Sequence, residues 1–208
     1  MTGALIAFVI VVLLPLFVAT WRTSLLGLAV QGALIAWLSL RQETTLTFNA
    51  ALAVVDIVAV RAIVAPALLY EVMQRKNAPP RNDVIAPNLF SWALVVGLVV
   101  AAFRAADALV PVEGDEQMLV AVSSTAFVLA LFVLAMADGT FGQIIGVLRI
   151  ANATALFELG SRGAPTPAAL RAAMTGLLLT SVLFYRWYLA HVPSEAEASR
   201  APAHSIAL

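Results

Sequence analysis

The sequence predicts an all-α, polytopic membrane protein of about seven transmembrane helices. Two observations predict it. Hydrophobic residues make up 62% of the chain and charged residues 12%, whereas soluble domains carry roughly 25% charged residues; the mean hydropathy is +0.96. The apolar residues also come in long continuous runs, unlike the alternating stretches of about ten residues that build a membrane barrel.

Seven runs approach the roughly 20 apolar residues that a spanning helix needs. They cover residues 3–20, 24–40, 46–73, 89–103, 118–137, 140–160 and 168–189. The first resembles a secretory leader in length, but Met1-Thr2-Gly3 carries no basic residue and no convincing small-x-small cleavage site follows the run before Trp21-Arg22. It reads as a retained first span. The first and third runs contain Pro15 and Pro66, kinks that neighbouring helices can accommodate. Two connections are longer than the rest. Residues 74–88 carry Arg75, Lys76 and Arg81 among three prolines, and residues 104–117 carry Asp107, Glu113, Asp115 and Glu116. That acidic group reads as a hydrated loop rather than a cation site. Residues 1–190 form one helical domain with no internal repeat, and the Ala/Ser/Glu-rich residues 191–208 read as a disordered cytoplasmic tail.

Orientation follows from the bias of Lys and Arg toward cytoplasmic loops. Placing Arg75, Lys76 and Arg81 inside puts Arg22, Arg186 and Arg200 there too, against Arg41, Arg104, Arg162 and Arg171 outside. The N-terminus then lies outside and the C-terminus inside. Trp21, Trp37, Trp187 and Tyr188 fall near span ends, as interfacial aromatics do.

Several chemistries are excluded. The chain has no cysteine, so it offers no thiol nucleophile, disulfide or iron–sulfur ligand. His191 and His204 are the only histidines, and both are expected in the tail, away from any intramembrane haem or metal. A formal charge of zero gives no basic footprint for nucleic acid. Gly142-Gln143-Ile144-Ile145-Gly146 lacks the Gly-Lys-Ser/Thr element of a phosphate loop, and no Gly-x-Ser-x-Gly elbow occurs. Gly139, Gly142 and Gly146 recur at a spacing that lets helices approach closely.

Ionisable groups at membrane depth are costly and usually have a role. Asp56 and Arg61 lie in the third run, Arg149 near the middle of the sixth, and Glu158 near its end. They read either as a polar track for protons or ions or as ion pairs that fix packing. Residues five apart sit about 140° apart on an α-helix, so Asp56 and Arg61 are each expected to find a partner on another helix. Arg149 is expected to be buried against a carboxylate or backbone carbonyls. Asn152, three residues on, shares its face; Gln143 and Thr154 are further polar residues of that run. Glu158 is expected to reach the interface or pair with Arg162 at i,i+4.

The stretch Phe141-Gly142-Gln143-Ile144-Ile145-Gly146-Val147-Leu148-Arg149-Ile150-Ala151-Asn152-Ala153 resembles the middle helix of the complex I subunit K family. It is closer to the hydrogenase-4 component E family, whose pattern runs roughly Arg-Gln-Ile-x-Gly, four residues, then Glu-Asn. Gln143, Ile144, Gly146 and Asn152 fit it. Arg61 and Pro66 resemble that family's Lys-x-x-x-x-Pro element, and the segment from Arg171 to Tyr188 its final span. The resemblance implies that the C-terminal three helices are subunit-K-like. It implies a membrane-arm subunit of a complex I-like assembly, such as a group 4 hydrogenase or formate hydrogenlyase. This chain would hold no cofactor; partner subunits would carry nickel–iron and iron–sulfur centres, and antiporter-like subunits would lie alongside it in the inner membrane. Two departures stand out. The family's membrane glutamate falls at Ala151, and a carboxylate of its last span at Thr175. Either the polar track is rerouted through Asp56, Arg61 and Arg149, or the subunit is mainly a structural link. The alternatives are a subunit of a multisubunit cation/proton antiporter and a stand-alone solute transporter, although the paired halves expected of the latter are not evident.

Overall fold

A computed structural model describes residues 2–18, 20–42, 48–76, 89–110, 114–137, 139–161 and 167–191. Every described element is a helix. In chain order they are α1 (Thr2–Phe17), α2 (Trp21–Gln42), α3 (Phe48–Val54), a π-helical segment (Val55–Val64), α4 (Ala65–Lys76), α5 (Leu89–Leu109), α6 (Asp115–Met136), α7 (Thr140–Gly160) and α8 (Ala168–His191). Five stretches among the described residues are long and apolar enough to cross a membrane: α2, the continuous rod 51–75, α5, α6 and α7. That is the pattern of a multi-pass membrane protein. The apolar part of α1, Gly3–Leu14, is shorter, and the 24-residue α8 carries Arg171 and Arg186 within its length.

Helix ends depart from the sequence reading where polar residues continue a helix. Arg104 and Asp107, expected in a loop, belong to the last turns of α5. Asp115 and Glu116 form the first turn of α6, where carboxylates oppose the positive end of the helix dipole. Gln117 Nε2 donates to Asp107 Oδ1 at 3.0 Å and ties the two helices together. His191 is not in a tail: it ends α8, with its Nδ1 2.7 Å from the Trp187 carbonyl. Arg81, Glu113, Arg162, His204 and the tail 192–208 lie outside the described residues.

The rod 48–76 changes register in its middle. Pro66 has no N–H, and its ring crowds the carbonyl four residues earlier, at Ala62. A π turn relieves that clash and re-satisfies carbonyls that a proline orphans inside a membrane helix. The Ala65 N–H accordingly reaches back five residues to the Val60 carbonyl.

The bundle centres on α2, α6 and α7, with the rod against α2 and α8 against the rod. One apolar core joins α1, α2, α6 and the end of α7 through Phe8, Leu16, Ile35, Leu119, Leu129 and Leu156. A second joins α2, α4, α7 and α8 through Leu28, Leu69, Ile145, Leu148 and Val182. Small residues set the closest approaches. A Cβ on Gly32 would lie 2.8 Å from the Ala62 backbone nitrogen, and one on Gly160 2.7 Å from the Leu119 Cβ. Gly146 abuts Leu134, whereas Gly139 faces open space and carries no helix contact of this kind. α5 sits at the edge: Val95, Ala102 and Ala106 face inward, while Leu94, Val96 and Val100 are exposed.

Candidate functional site

The π segment creates the site. Its i→i+5 hydrogen bonding places residues five apart one above the other. Asp56 and Arg61 therefore face each other within one element, with Arg61 Nε donating to Asp56 Oδ2 at 3.0 Å. The expectation that each would find its partner on another helix assumed α-helical periodicity, and for Asp56 it fails. For Arg61 it holds in part, because Nη1 also donates to the Ala151 carbonyl of α7 at 2.7 Å. The pair is mostly buried, with side chains 14% and 11% exposed.

Above the pair lies a cavity of about 410 Å³. Its walls come from α2 (Ile35, Ser39), the π segment (Asp56, Ile57, Arg61), the C-terminal half of α7 and its cap (Ala151 to Ser161) and the first two-thirds of α8 (Arg171 to Ser181). Glu158 and Arg171 contribute charges, and Ser39, Thr154 and Ser181 hydroxyls. Glu158 is exposed, in keeping with its expected reach toward the interface. Thr175 does not line the cavity wall: its hydroxyl donates to the Arg171 carbonyl one turn back.

The remaining sequence candidates divide. Asn152 is buried; its Nδ2 lies 3.5 Å from the Leu28 carbonyl of α2, and it shares a small void with Arg61. Arg149 is 3% exposed, so it faces the protein interior as expected. It lies beside Gln31, Val12, Leu16 and Leu129 in a void that shares no lining residue with the cavity. Gln143 is exposed in a surface groove with Phe184, Tyr185 and Tyr188, apart from the other candidates. The structure thus brings Asp56, Arg61, Asn152 and Glu158 toward one another and leaves Arg149 and Gln143 elsewhere.

Sequence reasoning missed Arg171, Ser39, Ser181 and Gln31. Gln31 is 1% exposed, and its Nε2 has no hydrogen-bond partner among the described residues. Its signal was its place as a strongly polar residue in the middle of an apolar run. At the opposite end of the rod, Glu71 joins α4 to α8 by pairing with Arg186 at 3.0 Å, and it also pairs with Arg75 at 2.6 Å. These groups are about one-third exposed or more, so Glu71→Gln is expected to cost only about 0–1 kcal/mol. Thermal unfolding of the purified variant checks that value; a larger loss would mean that the contact is shielded in the assembled state. Among the described residues no group of three or more His, Asp or Glu is placed to hold a metal ion.

Comparison with known proteins adds no relative. No family model matches the chain, and no curated protein or solved structure matches it significantly.

Proposed function

We propose that this protein is a seven-span subunit of the inner membrane that belongs to the membrane arm of a complex I-like assembly of the group 4 hydrogenase type. It links the anchor of the redox arm to antiporter-like subunits and contributes a polar segment to a proton or sodium path. The N-terminus lies outside and the C-terminus inside. Redox centres, nickel–iron and iron–sulfur, belong to partner subunits.

The observation that carries this reading is the Asp56–Arg61 pair at the base of a cavity that also takes Glu158 and Arg171 into its wall, inside a bundle of largely apolar helices. The resemblance places a missing glutamate at Ala151, and the Ala151 carbonyl is where Arg61 anchors. Asp56 brings a carboxylate to the same place from a different helix. This favours a rerouted polar path over a purely structural link. Arg149, buried in a separate void, then serves packing between α7 and its neighbours rather than that path. The exposed apolar faces of α5 and α8 suit contact with lipid and with further membrane subunits.

Purification of a tagged copy in mild detergent, followed by mass spectrometry of its companions, tests the reading. Nickel–iron or iron–sulfur subunits together with antiporter-like subunits are the expected outcome. Antiporter-like subunits without a redox arm would move the assignment to a multisubunit cation/proton antiporter. A protein isolated alone would refute both.

A further inference from the structure

The cavity holds hydrogen-bonding capacity that the described protein groups leave unused. Asp56 is 8% exposed, and its Oδ1 has no hydrogen-bond partner among the described residues. The same is true of Arg171 Nε. Both residues line the cavity, together with the hydroxyls of Ser39, Thr154 and Ser181. A space of this size lined by carboxylates, guanidinium groups and hydroxyls has the room and the polar partners that ordered water needs.

The cavity is also asymmetric along the bundle. Its lining residues come from the C-terminal half of α2, residues 56–61 of the π segment, the C-terminal half of α7 and residues 171–181 of α8. These four stretches lie together on one side. Below Arg61 the space shrinks to a void of about 10 Å³. Beyond that, Leu25, Leu28, Leu69, Ile144, Ile145, Leu148 and Val182 pack as a continuous apolar plug. This cluster lies between the void and the Arg22 end, and its side chains offer water no hydrogen-bonding partner.

We propose that this cavity is a one-sided aqueous vestibule that admits water to the Asp56–Arg61 pair from the Arg41 face alone. The charged groups facing Asp56 are Arg61 on its own segment, Glu158 on α7 and Arg171 on α8; α2 presents only the Ser39 hydroxyl.

The absence of cysteine makes the test direct. Single cysteines at Ser39, Thr154 and Ser181 would be exposed to a membrane-impermeant maleimide in right-side-out and inverted membrane vesicles. Arg41→Cys and Arg22→Cys mark the two faces, and Leu148→Cys reports on the plug. Vestibule positions should react from the Arg41 face and not from the other, with Leu148→Cys silent from both. Reaction from both faces would remove the plug, and reaction from neither would show a lipid-filled groove; each overturns the proposal. One-sided labelling of a chain that co-purifies with no partner would refute the assembly while leaving the vestibule intact.

Discussion

Asp56→Ala is expected to destabilise the protein by about 3–5 kcal/mol, because it strands the Arg61 guanidinium in a mostly buried site with one carbonyl as its remaining partner. Arg61→Ala should cost a similar amount. It leaves Asp56 without its hydrogen-bond donor and removes the bond to the Ala151 carbonyl that joins the π segment to α7. The double substitution should be clearly milder than the sum of the two, since neither charge is then left alone. Thermal unfolding of the three variants in one detergent gives the coupling. Additive effects of less than about 1 kcal/mol each would mean that the site is well solvated and the pair worth little. Arg75→Ala provides the contrast. Its side chain is 72% exposed, so its loss should leave both stability and complementation close to the parent, while Arg61→Ala impairs both.

The second large effect is expected at Gly32. A single added methyl would sit 2.8–2.9 Å from the backbone nitrogen, Cα and Cβ of Ala62. Backbone cannot swing aside as the end of a side chain can, so α2 and the π segment would have to separate. Overpacking of this kind costs about 1–3 kcal/mol. Because Ala62 adjoins Arg61, the shift would also pull the guanidinium away from α7. Gly32→Ala should therefore lower both the unfolding temperature and vestibule labelling at Thr154→Cys. Gly146→Ala should be milder, because much of what it meets is the Leu134 side chain, at 3.1 Å. Gly176→Ala, with nothing within 4 Å, should show no loss. Equal effects at all three positions would indicate that helix propensity, not packing, governs the response.

Part of this was legible in the amino-acid sequence. Length and apolarity of the runs located the helices, and α7 begins and ends where its run does, at Thr140 and Gly160. The cost of an unshielded charge in an apolar setting was enough to place Arg149 inside the bundle. Small residues at Gly146 marked a close helix contact. These features depend on local composition and on the solvent that a long apolar helix requires, so a one-dimensional reading reaches them.

The tertiary structure decided the site. Apolar periodicity is read at 3.6 residues per turn, and nothing in a run of Val, Ala and Ile announces that Val55–Val64 winds as a π-helix. That change of winding turns Asp56 and Arg61 from diverging neighbours into a pair. Which face of each helix turns inward is likewise set by what packs against it. Gln143 and Asn152 share α7, yet one lies exposed beside α8 and the other buried against α2. Arg171 and Ser39 are far apart in the chain and meet only because α2, α7 and α8 bring their ends to the same side. The sequence by itself determined that the chain forms long apolar helices carrying a few buried charges. How those charges were partnered was left to helix winding and packing, since the energy of each pair depends on distances that only the assembled bundle sets.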